Sequence, residues 1–368
     1  MIIKNGRVFG ENGLFETRDI YVEDHKIVAA LDEVKDQHIV DASGYLVIPG
    51  LVDIHSHGAY GHDFSDADVE GLKAILRFEK SRGITSYCPT SMTLPSELLL
   101  KIFATVKEAG NDEDMAKIVG INMEGPFLDV DKKGAHVAEY LVQPDVEMFR
   151  ACNAASGNRI KLVTLAPNVP GAMEFIEAVK DEVTVSIGHT SADYDTASAA
   201  MEAGAHHVTH LYNAMPPFAH RDPGVIGAAA DDEKCMVELI SDGYHIHPSV
   251  VRSTFRLFGS ERVILISDSM MATGMENGEY ELGGQKVIMK DCRATLEDGT
   301  LAGSATDLFG CMKKAISVGV PAEEAVFAVT RNPAVSIGIY DRVGSITPGK
   351  DADLLLLDDN WDLVKVLF

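Results

Sequence analysis

The segment Asp53-Ile54-His55-Ser56-His57 sets two imidazoles two residues apart. Side chains alternate along an extended strand, so His55 and His57 project to one side and can grip one metal ion. Alone, such a pair suits a surface turn equally well. Glu124 stands where an apolar run meets Gly125-Pro126, His189 ends the run Ile187-Gly188-His189, and Asp268 follows the apolar residues 263–266 and Ser267. Taken singly, Glu124 reads as a loop glutamate and Asp268 as a helix N-cap or turn aspartate. In His206-His207-Val208-Thr209-His210-Leu211 only one parity can face inward. The C-terminal position favours His210, while His206 and His207 read as structural or solvent-facing. Five separate runs that each end in a metal-ligating or acid/base group point together to a metal site.

Such a site needs elements that bring distant strand ends to one place. Eight short apolar runs supply them, at residues 51–57, 84–90, 118–124, 160–166, 183–189, 206–211, 235–241 and 263–268. Between them lie helical patterns such as Leu99, Ile102, Phe103 and Val106, and Val251, Phe255 and Phe258. Eight strand-and-helix units predict a (β/α)8 TIM-like barrel, whose chemistry sits at the C-terminal mouth. An open doubly wound sheet would carry an early Gly-rich phosphate turn, and the sequence has none.

Residues 1–48 break into short β-like runs separated by turns and read as a small antiparallel sheet. Strand character returns in 275–302 and 338–368, with helices over 303–337 leading back to the barrel. Both ends therefore predict one small β-sandwich domain beside a catalytic barrel of residues 49–274, since neither end alone has enough strands to cover an apolar face.

Acidic residues outnumber basic ones by 56 to 32 over 368 residues, a formal charge of −24 that repels nucleic acid and anionic membrane at long range. Cys88, Cys152, Cys235, Cys292 and Cys311 show no CxxC spacing, which argues against a thiolate zinc site and suits a reducing compartment. No apolar run approaches the roughly 18 residues of a membrane span, so the expected location is cytoplasmic.

These residues resemble the amidohydrolase superfamily, whose barrels carry HxH on the first strand, further metal ligands on later strands and an aspartate on the eighth. No lysine ends the fourth run, Leu165-Ala166-Pro167, where the carbamylated-lysine members bridge two metals, and Glu124 stands in its place. Gly188-His189-Thr190, His210-Leu211-Tyr212-Asn213-Ala214-Met215, Ser241-Asp242-Gly243-Tyr244-His245 and Gly299-Thr300-Leu301-Ala302-Gly303-Ser304 narrow the likeness to the members that deacetylate N-acetylglucosamine 6-phosphate.

The resemblance implies that Glu124, His189 and His210 are the principal metal ligands and that His55 and His57 add a second ion. The cofactor would be one or two divalent ions, with zinc, iron and manganese all suited to imidazole and carboxylate. A divalent ion lowers the pKa of bound water from about 15.7 to about 7, and Asp268 would serve as base toward that water and acid toward the departing amine. His245 would polarise the acetyl carbonyl, and His136, on the connection after Glu124, would contact substrate. Asn213 and Ala214 would offer main-chain donors to phosphate, and Arg221 would reach the same group from a neighbouring subunit of a homodimer. The galactosamine epimer, another amide of the superfamily, and a catalytically silent assembly protein on the same barrel are the rival readings.

Overall fold

In the computed structural model, which describes residues 1–367, eight strands alternate with helices from Leu51 onward. They are β1 (Leu51–Ser56), β2 (Ile84–Ser91), β3 (Ile121–Glu124), β4 (Ile160–Leu165), β5 (Thr184–Ile187), β6 (His207–Val208), β7 (Met236–Ile240) and β8 (Val263–Ile266). Each pairs in parallel with the next, and a bridge between Ser56 and Ser269 closes the ring. The expected barrel is therefore present.

Two apolar layers hold it. Inside, Val52, Ile54, Cys88, Leu162, Ile240, Ile264 and Ile266 pack on Ala334, Ile337, Ile339 and Val343. Asn332 donates to Val263 O, and Thr184 donates to Ser336 O, at the starting ends of β8 and β5. The chain around helix Arg331–Ser336 thus plugs the N-terminal end and leaves the C-terminal end for chemistry. Outside, amphipathic helices cover the strands at 3.6-residue spacing: helix Ser96–Ala109 buries Leu99, Ile102, Phe103 and Val106.

Both chain ends build a second, seven-stranded sheet. Leu354–Leu357 shows why four consecutive leucines suit it. Leu354 and Leu356 join Ile3, Val8, Val47 and Ile20 in the domain's own core, while Leu355 and Leu357 face the barrel with Phe9, Leu46 and Ile48. This sheet is mixed, not antiparallel as the N-terminal turns suggested: strand Ile2–Phe9 pairs in parallel with Leu46–Pro49 and Ile39–Asp41. Residues 275–302 also depart from expectation. Their strands Gly278–Leu282, Gln285–Lys290 and Arg293–Thr295 form a separate three-stranded sheet. Leu282, Val287, Met289 and Ala294 pack into the barrel's cluster, so the sheet lies over the barrel and not within the end-built domain.

Candidate metal centre and substrate cavity

The strand ends converge on Glu124, which closes β3 and is fully buried. His189 Nε2 lies 3.1 Å and His210 Nε2 3.0 Å from its Oε1. His57 Nε2 lies 3.3 Å and His55 Nε2 3.5 Å from its Oε2. Asp268 Oδ1 adds a second carboxylate 3.3 Å from His57 and 3.6 Å from His55. The backbone is distorted to reach this arrangement. His189, His210 and Asp268 have φ of 47°, 28° and 48°, in the left-handed region that costs a non-glycine residue about 1–3 kcal/mol and concentrates at functional sites. In β1 the pairing register slips between Asp53 and Ser56, a bulge that re-aims the two histidines. Asp53 Oδ1 accepts from the His55 N–H at 3.2 Å, and Asn122 Nδ2 donates to Ile54 O at 3.1 Å, so two backbone groups loosened by the bulge are recaptured.

The hydrogen bonds on the far side of each ring set its tautomer. His57 Nδ1 donates to Thr90 O, His189 Nδ1 to Lys132 O, and His55 Nδ1 to the Glu238 carboxylate. When neutral, each ring then carries its lone pair on Nε2, aimed at Glu124, as a metal ligand requires. His136 is the reverse. It also falls within ligand range of Glu124 and His189, but its Nδ1 accepts from Thr93 N–H at 3.1 Å, so Nε2 bears the proton and faces Glu124 as a donor.

The electrostatics favour a cation. Burial opposes charge on Glu124, yet the charge of a protonated His55 and the hydrogen bond from His136, whose proton sits on Nε2, hold it well below the carboxylate range. Burial likewise opposes a charged His57, but hydrogen bonds to Asp268 and Glu124 push it up to about 9. His55 is raised well above its ordinary value against burial by the charges of Glu124 and Glu238. At His136 burial wins, and it falls to about 4. The fully buried His55 Nε2 has no hydrogen-bond partner, as fits an atom meant for an ion. Four imidazoles, those of His55, His57, His189 and His210, around a shared carboxylate make the donor set of a divalent metal centre.

Above it opens a cavity of about 540 Å³, lined by His57, Glu124, His136, His189, His210 and Asp268, with Lys132 and Lys133 on one wall. His245 and Ala214 reach it too. His245 Nδ1 donates to Asp242 at 2.7 Å, while Asp242 also accepts from the Tyr244 and His245 N–H groups. The ring is thereby fixed. Asn213 lines the cavity, but its own N–H closes a turn on His210 O at 3.0 Å, so half of the expected main-chain pair is already committed. Arg221 lies apart, exposed and bonded to His220, in a different surface hollow beside Asp193 and Asp222. Leu282, Asp298, Thr300 and Leu301 of the three-stranded sheet and its following turn form the roof, which Gln285 ties to Ala135 O.

His206 pairs with Asp232 outside the site. His207 takes the structural of its two readings: it is fully buried between Glu238 and Ser336. Sequence reasoning passed over Glu238 and singled out no role for Asp242. The available signals were a lone carboxylate inside the apolar run 236–240 and the three-residue spacing from Asp242 to His245.

The amidohydrolase family profile matches residues 46–367. The chain belongs to the amidohydrolase family. This amidohydrolase is 36% identical over 377 residues to an N-acetylglucosamine-6-phosphate deacetylase of Bacillus subtilis, covering 100% of this chain and 95% of the relative. It is 31% identical over 370 residues to an N-acetylgalactosamine-6-phosphate deacetylase of Escherichia coli O157:H7, covering 99% and 97%. Among solved structures, the N-acetylglucosamine-6-phosphate deacetylase of Pasteurella multocida superposes with a TM-score of 0.91 at 28% identity over 100% of this chain and 97% of that one. An aspartate-to-alanine mutant of the Mycobacterium smegmatis deacetylase, in complex with N-acetyl-D-glucosamine-6-phosphate, has the same TM-score at 29% identity, covering 100% and 97%.

Proposed function

We propose that this amidohydrolase hydrolyses the acetamide of N-acetylglucosamine 6-phosphate, releasing acetate and glucosamine 6-phosphate. The observation that carries the reading is the Glu124-centred cluster with Asp268 beside it at the floor of a sugar-sized cavity, in a chain akin throughout its length to deacetylases of that substrate. Glu124, His189 and His210 would hold one divalent ion, and His55 and His57 with Glu124 a second, zinc, iron or manganese in either place. An ion so held supplies Lewis acidity toward water and toward the amide oxygen.

The chain's own groups do the rest. Asp268, at the mouth on the His55–His57 side, takes a proton from the attacking water and returns it to the sugar nitrogen as the C–N bond breaks. One carboxyl serves both steps because it is regenerated between them. With both ring nitrogens protonated, and the Nδ1 proton given to Asp242, His245 donates from Nε2 to the amide oxygen as it gains charge. His136, on the cavity wall beside Glu124, contacts the sugar. Ala214 and Asn213 face the phosphate end of the cavity. Arg221, exposed and remote from its own site, completes that end from a second copy, so the active unit is a homodimer. A cytoplasmic setting suits the five cysteines, all of them free.

Acetate release by the metal-loaded protein tests this reading. Release from N-acetylglucosamine 6-phosphate well above that from unphosphorylated N-acetylglucosamine is expected, and no release from the phosphorylated sugar contradicts it.

A further inference from the structure

Glu238 lies in the middle of β7 below the metal cluster, with no solvent exposure. It touches no part of the cavity, yet both its oxygens are occupied. Oε2 lies 2.9 Å from His55 Nδ1 and 3.1 Å from the backbone nitrogen of His210, and Oε1 lies 3.1 Å from His207 Nε2. An ionised carboxylate only accepts hydrogen bonds, so all three partners donate. For His55 this leaves one arrangement of the neutral ring: the proton on Nδ1 and the lone pair on Nε2. That Nε2 is the buried atom without a hydrogen-bond partner, facing Glu124 and Asp268. The proton of His207 is fixed in the same way, since its Nε2 donates to Glu238 and its Nδ1 accepts from Ser336 Oγ at 2.8 Å. Ser336 belongs to the helix that plugs the far end of the barrel. A line of hydrogen bonds therefore runs from the plug through His207 and Glu238 to His55. The contact to His210 joins the other half of the cluster to the same carboxylate, at a residue whose φ of 28° needs restraint.

We propose that Glu238 is the positioning residue that makes the His55–His57 half of the cluster a metal subsite, by fixing the tautomer of His55 and tying it to the backbone of His210. Without that carboxylate His55 is free to carry its proton on Nε2, where it opposes a cation. Replacement of such an outer carboxylate costs about 10- to 100-fold in metal affinity. The inference rests on the metal reading given above.

The test is titration of the metal-free protein with cobalt(II), followed by its visible absorption, with bound cobalt counted after gel filtration. The wild type takes up two equivalents. Glu238→Met, which keeps the length and removes both acceptors, retains the first and binds the second about 10- to 100-fold more weakly. Glu238→Gln, which keeps one acceptor oxygen, loses less. Thermal melting of each metal-free variant establishes that it is folded, and if Glu238→Met does not fold, a weaker second equivalent in Glu238→Gln carries the result. Two equivalents at wild-type affinity in the folded variants overturn the proposal. A wild type that takes up one equivalent also overturns it, and one that takes up none removes the metal reading and this inference together.

Discussion

The Nε2 atoms of His189 and His210 lie 3.0 Å apart, and both stand within 3.1 Å of the same oxygen of Glu124. His189 cannot relieve the crowding with a proton of its own while neutral, because its Nδ1 proton is given to Lys132 O. His210 Nδ1 has no hydrogen-bond partner to fix its proton there; with that proton on Nδ1, two ring nitrogens and a carboxylate oxygen converge as electron-pair donors, which repel unless a cation or a proton lies among them. The raised His210, where the hydrogen bond and charge of Glu124 outweigh burial, is the protonated answer, and an ion is the other.

Removal of the ion should therefore be felt by the fold as well as by the reaction. A ligand present at a thousandfold its dissociation constant stabilises the native state by about 4 kcal/mol. Exhaustive chelation is expected to abolish hydrolysis and lower the Tm by several degrees, and added metal to restore both. An unchanged Tm and unchanged turnover at negligible metal content would count against the metal centre.

Asp268 lies 3.3 Å from His57, on the cavity floor. Asp268→Asn preserves its shape and removes its basicity. The expected result is metal content close to wild type with kcat lower by about 10²- to 10⁴-fold, the usual worth of a general acid–base group. A near-normal kcat would take Asp268 out of the proton transfers.

Arg221→Ala tests the contribution proposed for a second subunit. Loss of a charged hydrogen bond of about 1.5–3 kcal/mol raises KM for the phosphorylated sugar by roughly 10- to 150-fold. N-acetylglucosamine without phosphate should be nearly indifferent. Equal losses on the two substrates would place Arg221 elsewhere than at the phosphate.

Glu79 gives a prediction for stability in place of activity. It is fully buried on helix Val69–Ser81, neither carboxyl oxygen has a hydrogen-bond partner, and it faces Asp53, Asp307 and Arg82. Burial, helped by the charges of Asp53 and Asp307 and opposed by Arg82, raises its carboxyl well above the ordinary range. The native state then holds a proton that the unfolded chain releases above its own pKa of about 4.3, so stability falls as pH rises past that value. Glu79→Gln removes the titration. Its Tm is expected to exceed that of the wild type at pH 8 and the difference to shrink toward pH 4, whereas a pH-independent difference would contradict the assignment.

The sequence was most informative where polarity interrupts apolar runs. His55, His57, Glu124, His189, His210 and Asp268 are conspicuous because each follows residues that must be buried, and the structure gathers all six around one point. What lies one layer deeper was not legible. Glu238 interrupts an apolar run in the same way, but at mid-strand, where its meaning depends on three partners from other strands. The left-handed backbone of His189, His210 and Asp268 also leaves no mark on residue type, since glycine would normally signal it. The strands of 275–302 were visible from their alternation, but which sheet they join is a long-range matter of pairing, and they form a roof over the cavity instead.

The most direct measurement is acetate release from N-acetylglucosamine 6-phosphate beside N-acetylgalactosamine 6-phosphate, with bound metal counted in the same preparation. The metal-loaded protein is predicted to convert the glucosamine compound to glucosamine 6-phosphate and acetate in equal amounts, with kcat/KM at least about tenfold above the epimer, a difference of about 1.4 kcal/mol. Preference for the galactosamine compound would assign the chain to the epimer, and no acetate from either sugar at full metal content would contradict the deacetylase reading itself.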